Sequence, residues 1–280
     1  MRKRSNTALL ISYILLILLA IVMIYPLLWL LGAAFKSNDE IFTTIGLLPK
    51  HPVYGAFKNG WAGTGKYGFG TFMLNTFKMV IPTVGFTVLS STLVGYGFAR
   101  FNFPLKKVLF ALMLSTLMLP ATVIIIPRYI TFRDFGWLNS YKPFWVPALL
   151  GCYPFFNYMM IQFLRGLPLE LDESAKMDGC GSLRILFQIL LPLCKSAIMS
   201  VLVFQSVWIW NDFMNCLIYI NSVSKYPVSL GLRMTMDVTV GFDWNLVMAM
   251  SIVSILPPMI LFFCAQKYFV EGIATTGMKN

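Results

Sequence analysis

Long apolar runs, separated by short polar and charged stretches, dominate the pattern of this chain. Four runs contain no Asp, Glu, Lys or Arg: Ser5 to Phe35, Val108 to Pro127, Pro143 to Leu164 and Trp244 to Gln266. Two more contain one charge each: Thr71 to Ala99 with Lys78, and Ser196 to Ile220 with Asp212. A bilayer core of about 30 Å is crossed by a helix of about 20 apolar residues. The pattern therefore predicts an all-α integral membrane protein with six transmembrane helices.

Composition and charge agree with a membrane protein. Of the 280 residues, 58% are hydrophobic and 12% are charged, whereas soluble domains carry roughly a quarter charged residues. The basic residues behind the net charge of +11 are scattered between the apolar runs, which indicates loop charge rather than a nucleic-acid-binding surface. The five cysteines show neither paired spacing nor C-x-x-C, so no disulfide framework or metal site is predicted. Membrane lipid is thus an expected partner, and nucleic acid is not.

The order of the spans predicts an orientation. Residues 1–35 begin with three basic residues and then stay apolar for longer than the roughly 7 to 15 residues of a signal-peptide core, so we expect a retained first helix with a cytoplasmic amino terminus. Six spans then return the carboxyl terminus to the cytoplasm. Loops 100–107 and 165–195 face inward on this scheme, and loops 36–70, 128–142 and 221–243 face outward. The Lys and Arg count, 12 inside against 9 outside, leans the same way.

The inner stretch 165–195 predicts a short amphipathic helix outside the bilayer. Pro168 suits a first helical position. Glu170, Asp172 and Glu173 fall in the first turns, where carboxylates complement the positive end of the helix dipole. Gly179 is placed to take the left-handed conformation that ends a helix.

Three stretches of this sequence resemble a known family. Glu173-Ser174-Ala175-x-x-Asp178-Gly179-Cys180, followed by Phe187, Ile189 and Leu191-Pro192, resembles the EAA loop of binding-protein-dependent ABC importer permeases, E-A-A-x-x-D-G-A and then F, I and L-P. Ser174 and Cys180 stand where that pattern has alanine. Trp208-x-Trp210-Asn211-Asp212-Phe213 resembles the W-N-D-F stretch of carbohydrate permeases, and Gln266 to Gly272 followed by Thr275 to Lys279 is similar to the ending of maltose-transporter-type members. Asn75 and Ala99-Arg100-Phe101 add to the likeness with the carbohydrate branch.

The resemblance implies a fold and a domain organisation. It implies a single transmembrane permease domain over residues 1–280, of the type I ABC importer class with a cytoplasmic coupling helix. Within it, the family-like core covers about residues 71–267, residues 1–35 form an additional N-terminal transmembrane helix, and residues 165–195 form the coupling loop. The implied location is a prokaryotic inner or plasma membrane.

The resemblance also implies partners and a role. A second homologous permease subunit, two ATP-binding cassette ATPases and an extracytoplasmic solute-binding protein are expected beside this chain, which forms half of the translocation path for a sugar or oligosaccharide. The ATPases bind ATP and Mg, so no cofactor and no catalytic residue are expected here. The residues expected to dock on an ATPase are Glu170, Glu173, Ser174, Ala175, Met177, Asp178 and Gly179.

The W-N-D-F stretch leaves two interpretations open. An ionisable group inside an apolar run normally faces a cavity or a partner helix. Trp208, Trp210, Asn211 and Asp212 are therefore candidates for lining the translocation path, and the alternative is that they hold helices together.

Other functions remain open. A permease of the same fold for glycerol phosphate or a peptide is one alternative. A secondary transporter or channel predicts inverted repeats or repeated intramembrane charges, and a membrane-embedded enzyme predicts clustered His, Asp or Glu in the spans; neither pattern is evident in the sequence.

Overall fold

A computed structural model describes residues 6–63, 66–236 and 243–277. The basic residues 2–4, predicted to flank the first span, and Lys279 near the carboxyl end lie outside these ranges. The helices are α1 Asn6–Ala33, α2 Asn38–Thr43, α3 Ala56–Ala62, α4 Phe69–Arg100, α5 Lys106–Leu117, α6 Ala121–Asp134, α7 Lys142–Leu149, α8 Pro154–Arg165, α9 Glu170–Met177, α10 Ser182–Leu193, α11 Lys195–Trp210, α12 Phe213–Tyr219, α13 Val228–Met234 and α14 Trp244–Gly277. Within α10, Ile185–Leu190 is wound as a π-helix.

Four stretches of this part of the chain are helical, long and apolar enough to cross a membrane: Leu9–Ala33, Phe69–Arg100, Lys142–Arg165 and Trp244–Tyr268. Two bent pairs, α5 with α6 and α10 with α11, raise the number to six if each pair is one span. The protein is thus all-helical with four to six candidate spans, and the upper figure agrees with the six apolar runs.

Three of the predicted spans are not single straight helices, which corrects the prediction from run length. The run Pro143 to Leu164 is divided into α7 and α8 by residues 150–153. The run Val108 to Pro127 is broken between Leu117 and Ala121, and the two halves meet at 107°. Pro120 lies at this break, and proline cannot donate the backbone hydrogen bond that would continue α5. The run Ser196 to Ile220 ends its helix at Trp210, because Asp212 caps a new helix, α12, by accepting from the backbone N–H of Asn215 at 3.1 Å. Run length predicts apolarity but not bending.

Contacts divide the chain into two compact units. The first comprises residues up to Thr71 together with Gly231–Leu256. In it, Asn38 Nδ2 donates to Asp243 Oδ1 at 2.6 Å and the backbone N–H of Trp244 donates to Asn38 Oδ1 at 2.7 Å. These bonds tie the start of α2 to the start of α14. The side chains of α1 are largely exposed, as expected of a helix that faces lipid.

The second unit comprises Phe72–Leu230 and the residues from Pro257 onward, and it contains both candidate sites. Its core has two buried clusters. One gathers Met79, Phe132, Phe144, Ile209 and Tyr219, with others, from α4, α6, α7, α11 and α12. The other gathers Tyr96, Met160, Ala175, Leu186 and Val201, with others, from α4, α8, α9, α10 and α11. Helix α4 contributes to both clusters.

Candidate functional site

The helix predicted in the charged loop is confirmed as α9, Glu170–Met177. It ends in a Schellman motif, in which the backbone N–H of Cys180 donates to the carbonyl of Ala175 at 2.9 Å and that of Gly179 donates to Lys176 at 3.0 Å. Gly179 has φ +77°, the left-handed conformation that its position in the sequence predicts. The end of α9 is therefore fixed by local backbone chemistry.

The two faces of α9 differ sharply. Asp172 and Ala175 are buried, and Ala175 belongs to the second core cluster. The opposite face is exposed, with Met177 at 89%. Of the residues expected to dock on an ATPase, Glu170, Glu173, Ser174, Met177, Asp178 and Gly179 are exposed. Ala175 is the exception, and its small side chain packs α9 against the rest of the unit.

A buried ion pair that the sequence did not reveal holds α9 to α4. Arg100 Nε lies 2.9 Å from Asp172 Oδ2, and the two side chains are only 5% and 7% exposed. Arg100 Nη2 also donates to the carbonyl of Leu167 at 3.2 Å and lies 3.5 Å from that of Pro168. The charge of Arg100 is thus surrounded by acceptors from the start of the loop. Because these partners are far apart in sequence, only the position of Arg100 at the end of an apolar run hinted at them.

A second contact joins α4 to the far side of the same loop. The hydroxyl of Tyr96 donates to the carbonyl of Ser182 at 3.1 Å. The last turns of α4 therefore contact the segments on both sides of α9. A movement of α9 is thus transmitted to the end of α4.

The four residues of the W-N-D-F stretch do not form one site. Trp208 and Asp212 line a polar cavity, whereas Trp210 is buried and lines a different, apolar cavity of about 440 Å³. Asn211 is exposed, and its Nδ2 donates to the carbonyl of Val207 at 2.8 Å. The structure thus brings Trp208 and Asp212 together and separates the other two from them.

The polar cavity has a volume of about 140 Å³ and is lined by residues of α6, α7, α11 and α12 and by Tyr153, which directly precedes α8. Its polar lining residues are Arg128, Tyr153, Gln205, Asp212, Asn215 and Tyr219. An adjoining cavity of about 220 Å³ shares Arg128, Pro143 and Tyr153 with it. Of these lining residues the sequence singled out only Trp208 and Asp212. Two further lining residues could have been noticed in the sequence: Gln205 is a polar residue inside an apolar run, and Asn215 follows Asp212 by three residues.

Metal binding has no candidate in the described ranges, where no three His, Cys, Asp or Glu side chains lie close enough to hold an ion together. The two sites provide an exposed helical face on α9 and a cavity lined by hydrogen-bonding groups.

Comparison with known proteins decides the family. Residues 91–275 match the family described as "Binding-protein-dependent transport system inner membrane component". The chain belongs to this family. The permease is 31% identical to the galactooligosaccharides transport system permease protein GanQ of Bacillus subtilis, over 100% of this chain and 99% of that protein. It is 28% identical to the sn-glycerol-3-phosphate transport system permease protein UgpE of Pectobacterium atrosepticum, over 94% of each chain.

The fold of the permease is shared with a solved structure. One chain in the crystal structure of a bacterial ABC transporter involved in the import of the acidic polysaccharide alginate superposes with a TM-score of 0.81, at 22% identity, over 96% of this permease and 99% of that chain. The protein is thus a multi-pass inner membrane permease of an ABC importer and a transport subunit without catalytic activity. Family membership implies an ATPase and a solute-binding protein as partners.

Proposed function

We propose that this permease carries a sugar or oligosaccharide inward and forms half of the translocation path with a second homologous permease. Two ATPases bind ATP and Mg on the cytoplasmic side, and an extracytoplasmic binding protein delivers the cargo. The observation that carries the cargo assignment is the similarity to GanQ over the full length of both chains. The W-N-D-F stretch at Trp208 to Phe213 supports the same branch.

Helix α9 is the proposed docking element for one ATPase. Its exposed face carries Glu170, Glu173 and Met177, while Asp172 on the opposite face is held by Arg100. A helix that is rigidly anchored on one side and exposed on the other can transmit a push from a partner. When the ATPases close, α9 moves with them, and α4 follows through the ion pair. The permease then shifts between inward-open and outward-open states.

The proposed arrangement in the membrane follows from the docking role. Loop 165–195 and both termini face the cytoplasm, and residues 1–35 provide an extra span ahead of the core. A single cysteine at the exposed position of Met177 tests this orientation in a variant whose five native cysteines are replaced. We expect a membrane-impermeant maleimide to label it in inside-out vesicles and not in intact cells. Labelling in intact cells would contradict the orientation.

The docking role is tested by charge reversal on the exposed face. In the complete transporter reconstituted in liposomes, Glu173→Lys is expected to abolish the stimulation of ATP hydrolysis by the loaded binding protein, while the permease remains in the membrane. Lys107→Glu, a charge reversal at an exposed position in the first turn of α5, is the control and is expected to retain stimulation. Normal transport by Glu173→Lys would refute the docking role.

Glycerol phosphate is the second candidate cargo, because the similarity to UgpE is nearly as high. To distinguish the two cargoes, the native binding protein is copurified with the transporter, and a panel of ligands is tested for stimulation of ATP hydrolysis. We expect neutral oligosaccharides to stimulate ATP hydrolysis and glycerol 3-phosphate to have no effect. Stimulation by glycerol 3-phosphate alone would replace the proposed cargo.

A further inference from the structure

We propose that the polar cavity around Gln205 and Asp212 is a subsite for one uncharged sugar ring, which rests on the proposed cargo and assigns it a place in this chain. Two buried groups that line the cavity are weakly satisfied, with Tyr219 near the side chain of Arg128 and Gln205 near that of Tyr153. Neither Gln205 Oε1 nor the hydroxyl of Tyr219 makes a hydrogen bond of ordinary geometry with a described residue, although both side chains are almost completely buried. Buried polar atoms without partners are uncommon and call for a ligand or water.

The orientation of the Gln205 amide is fixed by its neighbours. Thr87 uses its hydroxyl hydrogen to donate to the carbonyl of Thr83 at 2.8 Å. Its oxygen must therefore accept the bond from Gln205 Nε2 at 3.1 Å. The Gln205 amide nitrogen thus donates one of its two hydrogens to Thr87, and Oε1 is an acceptor in need of a donor.

Asp212 is only partly satisfied as well. Its carboxylate accepts from the backbone N–H and from the side-chain Nδ2 of Asn215, at 2.9 to 3.1 Å. A carboxylate has about four acceptor positions, so these three contacts leave about one for another donor. The bonds to Asn215 also hold the carboxylate in place for a ligand.

The free groups select the charge of the ligand. A fully ionised phosphate or carboxylate group has no hydrogen to donate to Gln205 Oε1, and its attraction to Arg128 is opposed by repulsion from Asp212 in the same cavity lining. An ammonium group could donate, but it would meet the guanidinium of Arg128 on the same cavity wall. An uncharged hydroxyl group donates to the two acceptors and can also accept from Tyr219 or Arg128. The lining thus favours a neutral polyol over glycerol phosphate or an acidic sugar.

Size and shape agree with a sugar ring. A volume of about 140 Å³ is below the roughly 300 to 1,000 Å³ of pockets for drug-sized ligands, which suits a single ring. Trp208 is 49% exposed and packs at 5.1 Å between ring centroids against both Phe155 and Phe156. It offers a fixed apolar surface to the C–H face of a sugar. The adjoining cavity at Arg128 and Tyr153 provides room for the next ring of an oligosaccharide.

The test measures binding to the complete transporter in lipid nanodiscs without the binding protein, by the change in tryptophan fluorescence. The probes are a neutral galactooligosaccharide and glycerol 3-phosphate. We expect saturable binding of the oligosaccharide only. Gln205→Met and Asp212→Asn are each expected to weaken it about tenfold, the value of one well-formed hydrogen bond. Asn is as good an N-cap as Asp, so the second variant keeps α12.

Controls make the result decisive. Asn211→Ser alters the neighbouring polar side chain outside the cavity lining and is expected to bind as the unaltered protein does. Unaltered affinity in both Gln205→Met and Asp212→Asn, or equal affinity for glycerol 3-phosphate, would overturn the subsite. Oligosaccharide transport measured in liposomes separates this failure from a failure of the proposed cargo. If the oligosaccharide is transported while both variants bind it normally, only the subsite is wrong; if it is not transported, the cargo is wrong.

Discussion

The ion pair between Arg100 and Asp172 gives the sharpest prediction from this structure. Both side chains are almost fully buried, so removal of one partner leaves an uncompensated charge away from water. Such a loss costs about 3 to 5 kcal/mol at buried sites. Since 1.4 kcal/mol is a factor of about ten in an equilibrium constant, we expect the population of transporters with α9 detached to rise by about two to three and a half powers of ten in Arg100→Gln.

The two single variants are not equivalent. In Asp172→Asn, Arg100 retains its contacts with the carbonyls of Leu167 and Pro168, and the effect is expected to lie at the lower end of that range. In Arg100→Gln, the buried carboxylate of Asp172 loses its cationic partner, so the larger effect is expected there. Replacing both residues, as Arg100→Met with Asp172→Leu, removes both charges. This double variant is expected to recover most of the stability of α9.

Hydrogen–deuterium exchange of the α9 amides measures the local opening free energy directly. The assay uses the reconstituted transporter and is paired with the stimulation of ATP hydrolysis by the loaded binding protein. Asp134→Asn is the control, because Arg133 and Asp134 form an ion pair of nearly equal length, 3.0 Å, with side chains 57% and 59% exposed. An exposed pair contributes about 0 to 1 kcal/mol. Unchanged protection of α9 in both single variants would refute the reasoning.

Three further predictions concern the backbone and the first unit. Gly179 has a positive φ, so Gly179→Ala is expected to destabilise α9 by about 1 to 2 kcal/mol. Gly181 has an ordinary φ and open space around it, so Gly181→Ala is expected to be nearly neutral. Amide exchange of α9 measures both. A Cβ at Gly95 would lie 2.8 Å from the Cβ of Met160 in α8, so Gly95→Ala is expected to lower the melting temperature. A Cβ at Gly85 would meet nothing within 4 Å, so Gly85→Ala is expected to leave the melting temperature unchanged. Backbone N–H groups at residues 50 and 51, chiefly the first, lower the pKa of Glu40 from its usual 4.5. The ionised Glu40 side chain therefore stabilises the fold above pH 4.5, and this stabilisation is lost as the pH falls through the lowered pKa. Melting curves of the unaltered protein and of Glu40→Gln between about pH 7 and pH 3 measure the loss.

The sequence predicted best what depends on neighbours along the chain. The helix α9 and the left-handed Gly179 follow from residues within a dozen positions of one another, and both are confirmed. Apolar runs predicted where the chain can cross a bilayer, but Pro120 indicates a break without indicating that it amounts to 107°. An angle of that kind depends on which helices pack on either side.

What the sequence could not supply are the pairings between distant elements. Arg100 and Asp172 meet because α4, α8 and α9 pack together. The sequence around either residue does not predict that the other is its partner. The cavity beside Asp212 is lined by residues of four helices and by Tyr153 before a fifth, so the sequence alone could not place Arg128 and Gln205 in the same wall. The four residues of the W-N-D-F stretch looked like one site, although Trp208 and Trp210 lie on opposite faces of the same helix and line different cavities.

The buried pair at the end of α4 also has a consequence for biosynthesis. Arg100 leaves the ribosome 72 residues ahead of Asp172, an interval of roughly 4 to 14 seconds at about 5 to 20 residues per second. During that time the guanidinium is an unneutralised positive charge at the end of a newly made span, and such charges retain that end on the cytoplasmic side during insertion. The same side chain can therefore help to set topology while the chain is made and secure the finished loop once its carboxylate arrives.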